Sequence, residues 1–86
     1  MSASSERSVV LPADLHARPA GALVRAAAAF CGTAEVVFQE KSASARSVLA
    51  IMGLGARAGA TVLVRAAGDD AEEAVAAIVA VLLVTE

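Results

Sequence analysis

Leu15-His16-Ala17-Arg18-Pro19-Ala20 decides how the chain is organised, because extended backbone gives way to helix there. Pro19 belongs in a first helical turn, where its missing N–H has no intrahelical use and its fixed φ suits the helix. Downstream, Ala20, Leu23, Ala27 and Phe30 fall at spacings that share one helical face, so a helix is expected over Ala17–Phe30. Gly32 then acts as a stop signal. Upstream, Ser8–Leu11 is short and β-branched and reads as a first strand ended by Pro12.

Working outward, Thr33–Lys41 alternates partly around Val36, Val37 and Phe38 and reads as a second strand. Lys41–Ala45 is polar and small, which suits either a turn or a short third strand. Ser47 before Val48–Met52, with Gly53 just beyond, marks a short capped helix. Ala60–Ala66, with Val62 and Val64 on one face, is a further strand, and Gly68 is a turn. Asp70 and Glu73 have capping-box spacing, and the acids at Asp69, Asp70, Glu72 and Glu73 suit a helix start. Val75, Ile78, Val79 and Leu82 form the apolar stripe of that last helix. The simplest architecture is α+β: an antiparallel sheet with helices packed on one face.

The 86 residues suffice for one small domain, residues 1–86, with a partly ordered segment at 1–7 and no repeat or linker. With 58% hydrophobic residues but only two Phe and no Trp or Tyr, the core must be aliphatic. So small a chain leaves little room for a deep cavity, which favours function at the surface. A net charge of −2, with no long basic run, argues against nucleic-acid binding. One cysteine, Cys31, permits no internal disulfide and reads as a small buried hydrophobe or a neutral filler. One His and one Cys make a poor metal site, and no cofactor is called for. The polar N-terminus lacks the apolar stretch of a signal peptide. The longest apolar run, Ala74–Val84, is 11 residues, too short to span a bilayer. A cytoplasmic protein without membrane insertion is expected.

His16 is the candidate centre of chemistry. At a helix N-terminus the backbone N–H groups of Ala17 and Arg18 lack intrahelical acceptors and form an anion site reinforced by the helix dipole. Arg18 adds a permanent cation able to donate paired hydrogen bonds to phosphate oxygens. The same positive field disfavours a second charge on the ring, leaving a nitrogen lone pair for attack on phosphorus. A hydrolase using His16 as a base is a poor alternative, since no nucleophile or carboxylate is placed with it. Lys41 and Arg57 read as solvated charges.

The Leu15–Ala20 motif resembles the active-site motif of HPr, the histidine-containing phosphocarrier family of the bacterial phosphoenolpyruvate:sugar phosphotransferase system. Similarity continues through Lys41-Ser42-Ala43-Ser44-Ala45-Arg46-Ser47, Leu54-Gly55, Gly59 and Gly68-Asp69. The resemblance implies an open-faced β-sandwich, β-α-β-β-α-β-α, with four antiparallel strands under three helices. It implies that His16 takes a phosphoryl group on Nδ1, with Arg18 beside it. The donor would be enzyme I, charged by phosphoenolpyruvate, and the acceptors enzyme II A-domains serving sugar uptake. Such a protein is a stoichiometric carrier rather than an enzyme, and monomeric.

The resemblance also matches Ser47 to a serine phosphorylated by a dedicated HPr kinase in many Gram-positive members. A regulatory adaptor signalling through Ser47 or His16 is therefore the alternative function, whereas capping alone also explains a serine there. A docking patch is implied at Val48, Leu49 and Met52, with Ala20, Arg25 and Arg46 around it; the competing reading puts the three apolar residues in the core. One departure is Asp14, where the family usually has Gly. Gly tolerates positive φ better, and an exposed carboxylate near the incoming phosphoryl group costs about 1 kcal/mol or less. On this reading transfer is slower than in a Gly version.

Overall fold

The computed structural model describes residues 3–84, which form β1 (Ser4–Val10), α1 (Ala17–Ala27), β2 (Thr33–Phe38), β3 (Lys41–Ser44), α2 (Val48–Met52), β4 (Thr61–Ala67) and α3 (Ala71–Val84). The strands make one antiparallel sheet in the order β1-β4-β2-β3. Alternation along β4 sets its facing: Val62, Val64 and Ala66 are buried, and the residues between them are not. Val9 pairs with Val62 and Val36 with Val64, so the buried face is continuous across three strands. The other face is open and carries the Glu35–Arg65 ion pair between β2 and β4.

The helices cover the buried face. α1 packs on α3, α3 lies on β1 and β4, and α2 touches α1 and β3. Leu23, Ile51, Ile78 and Leu82 are fully buried, each contributing about 1.5–3 kcal/mol of transfer free energy. The expected stripe of α3, Val75, Ile78, Val79 and Leu82, is entirely buried. Within the described residues no helix is long and apolar enough to cross a membrane.

Several boundaries differ from the sequence reading. β1 begins at Ser4, four residues before the expected strand start at Ser8, because Ser4–Arg7 pair with Val64–Ala67 despite their polar composition. Met1 and Ser2 lie outside the described residues. α1 stops at Ala27, after which Ala29 and Phe30 donate i→i−3 bonds to Ala26 and Ala27, tightening the last turn so that Phe30 packs on the core from outside the helix. β2 ends at Phe38 because Gln39, at φ +57, turns the chain into β3, which settles Lys41–Ser44 as a strand. The capping box of α3 does not form: Asp70 Oδ1 is buried without a hydrogen-bond partner. Cys31 is exposed, not buried.

Beyond the β1–β4 ladder, two loops stay bonded to each other. Leu11 N–H donates to the Ala60 carbonyl (2.9 Å) and Gly59 N–H to the Leu11 carbonyl (2.8 Å). Leu15 N–H donates to the Ala56 carbonyl (2.9 Å), and Ala58 N–H to Asp14 Oδ1 (2.8 Å). This clamp holds the segment entering α1 against the segment entering β4.

Gly32 and Gly68 meet where the α1–β2 and β4–α3 connections cross. Gly32 lies at φ +87, and a Cβ there would collide with the Ala67 carbonyl oxygen. Gly32→Ala is expected to lower stability by more than about 1 kcal/mol, read as a lower urea midpoint at unchanged slope. Asp14→Ala removes the side-chain acceptor of the clamp and is expected to cost about 1 kcal/mol in the same measurement.

Candidate functional site

His16 is the N-cap of α1, with φ −92° and ψ −164°, and its side chain makes no capping hydrogen bond. The extended backbone follows from a tight turn in which His16 N–H donates to the Asp14 carbonyl (2.9 Å). The His16 carbonyl accepts the first helical bond, from Ala20 N–H at 2.9 Å. Pro19 has no N–H, so two amides of the first turn remain, those of Ala17 and Arg18. Neither meets an acceptor among the described residues. An exposed imidazole thus stands where a short polar cap residue would usually satisfy these donors. A bound anion is the natural partner for them.

The ring lines a depression of about 190 Å³ together with Asp14, Leu15, Met52, Gly55, Ala56 and Arg57. Arg18 is exposed in the first turn of α1 and is not part of that lining. Arg57, read as a solvated charge, is exposed as expected, and the fold places it in this lining. Its signal was the pair of glycines at 55 and 59 around it, but a loop next to His16 is brought there only by tertiary folding. A larger hollow, about 430 Å³, opens against the sheet around Glu35 and Arg65. Those two charges engage each other at 2.6 Å.

Asp14 departs from the expectation attached to it. Its φ is not positive, Gln39 being the non-glycine residue in that region, so the position makes no demand for glycine. Its carboxylate accepts the Ala58 N–H and serves the clamp.

Around the histidine, α2 divides its side chains. Ile51 is buried, Val48 and Met52 are half-buried against the core, and Leu49 is 81% exposed. Leu49 and Met52, three residues apart, share a face, so an apolar strip runs from the His16 depression outward along α2. Arg25 is exposed, and its guanidinium folds back over Gly21, towards the start of α1. Two of the expected docking residues are corrected. Ala20 is 0% exposed beneath α1 and offers no surface. Arg46 donates to the carbonyls of Gly32 (3.1 Å) and Phe30 (3.4 Å), so its charge is anchored beyond the C-terminal end of α1, away from His16. Ser47 Oγ accepts the Ala50 N–H at 3.1 Å and caps α2.

Comparison with known proteins gives this geometry its context. The family model described as "PTS HPr component phosphorylation site" matches residues 3–83. The phosphocarrier protein HPr of Lysinibacillus sphaericus is 36% identical over 87% of this chain and 85% of its own. The crystal structure of an HPr from Bacillus anthracis str. Ames superposes with a TM-score of 0.86 at 30% identity, covering 93% of this chain and 98% of that one. HPr-C-His from Thermoanaerobacter tengcongensis gives a TM-score of 0.84 at 36% identity, covering 91% and 90%. A match running almost from end to end, on partners of the same length and fold, means that the chain belongs to the HPr family of phosphotransferase-system phosphocarriers.

Proposed function

We propose that His16 carries the phosphoryl group, receiving it on Nδ1 from enzyme I charged by phosphoenolpyruvate and passing it to enzyme II A-domains in the cytoplasm. The observation that supports this reading is the exposed, uncapped imidazole at the start of α1, beside two amides without acceptors. In the transfer, the lone pair of His16 Nδ1 forms the new P–N bond. The bond from phosphorus to the donor atom breaks, its electron pair leaving with the donor. The Ala17 and Arg18 N–H groups then donate to the phosphoryl oxygens, and the Arg18 guanidinium adds charge from the first turn. The protein is modified and regenerated once per transfer, acting as a monomeric carrier and not as a catalyst with its own turnover.

The strip of Met52 and Leu49, with Arg25 exposed on α1, fits brief docking of successive partners whose contact surfaces are apolar with an acidic rim. Ser47 has a sufficient role as the cap of α2, and a kinase acting on it would have to take the hydroxyl that accepts the Ala50 N–H.

Incubation with enzyme I and radiolabelled phosphoenolpyruvate is expected to give an acid-labile, base-stable phosphoprotein, absent from His16→Ala. An acid-stable label appearing only with a kinase and ATP would replace this reading by regulation at Ser47. Ser47→Ala is expected to lower stability by about 1 kcal/mol in urea unfolding while leaving the His16 label in place.

A further inference from the structure

We infer that Arg57 is a second phosphoryl-binding guanidinium, donating to the oxygens of the group on His16 at the depression that both residues line. The inference rests on the reading of His16 as phosphoryl acceptor and adds to it a residue from a different part of the chain.

Three observations lead there. First, among the residues lining the depression with His16 is one arginine, and it is Arg57, not Arg18. Second, the loop bearing Arg57 is fixed. Gly55 (φ +69) and Gly59 (φ +89) turn the chain, and Arg57's own carbonyl accepts the Ala60 N–H at 2.9 Å. Ala56 and Ala58 on either side are bonded to Leu15 and Asp14, the two residues before His16. The backbone of Arg57 is therefore held at a set distance from the histidine. Third, the guanidinium is exposed and makes no hydrogen bond or ion pair within the described residues. Arg65 and Arg46, by contrast, are both engaged.

The charge balance explains why a cation is useful there. Asp14 puts a carboxylate in the same wall. One of its oxygens accepts the Ala58 N–H, which fixes the carboxylate beside the depression without removing its charge. A phosphoryl group arriving on His16 meets that negative charge. Arg57 offsets it and offers planar, paired N–H donors suited to phosphate oxygens. Asp14 thus acts in two ways: it repels the incoming group, and it holds in place the loop that brings the compensating cation.

The test follows the initial rate of His16 labelling from phosphoenolpyruvate through enzyme I, for the intact protein and its variants. Arg57→Ala is expected to slow labelling about tenfold, as loss of a charged hydrogen-bond donor to the transferring group should. Arg57→Lys is expected to recover part of the rate, since it restores charge but not the paired donors. The urea midpoint of both should match the parent, because the side chain has no partner in the fold. Should Arg57→Ala fail to fold, Arg57→Gln reads the same loss of charge. Arg57→Ala labelling within twofold of the parent would overturn the inference while leaving His16 as the acceptor. A parent protein that takes no label from charged enzyme I would overturn the acceptor reading, and this inference with it.

Discussion

The backbone clamp between Leu11–Leu15 and Ala56–Ala60 is the constraint on which the site depends. β1 and β4 pair through Val10 and Thr61, and the clamp carries that attachment onward after regular strand geometry has ended. It fixes the angle at which the chain enters α1, and so the direction in which the first amides point. It also brings a loop from the far half of the sequence to the histidine. The helix start and the backbone of Arg57 are thus held by three main-chain bonds and one to the Asp14 carboxylate, with Leu11 and Leu15 buried in a core built largely from Ala, Val and Leu.

That economy of side chains has a structural counterpart in the helical layer. Alanines at 20, 27, 71 and 74 let α1 and α3 sit closely over the sheet, and the large aliphatics fill the space between. α2 is different. It has five residues, buries Ile51, and leaves Leu49 outside. A helix so short has too few positions to hide an apolar side chain on every face. An exposed leucine beside a reactive histidine suits encounters that are frequent and brief.

Elements whose register depends on local pattern were legible in the sequence. The stripe of α3, the short α2 with its serine cap, and the helix start at Ala17 all follow from spacing and from residues at the ends. The edges of β1 and β2 were not. Ser4–Arg7 has no strand composition and is extended because β4 offers it partners, while Gln39 turns without the glycine or asparagine that would have announced it. At the site, the position of His16 at a helix start was legible from Pro19 in the first turn, and its role was implied by the resemblance of Leu15–Ala20 to the HPr motif. Arg57 was not, because its place beside His16 comes from bonds between segments some forty residues apart. The bond of Asp14 to Ala58 N–H was not legible for the same reason, Ala58 lying far from it in sequence.

Pro19 gives the receptacle its depth. An ordinary first turn would offer a third amide, and a proline there withholds it. The helix start is left with two amides for an anion, those of the exposed Ala17 and Arg18. What rests on the imidazole therefore stays open to solvent and to the next protein that approaches. A tighter cradle would make a better phosphate trap and a poorer intermediary, so on the proposed reading an incomplete helix start favours onward delivery.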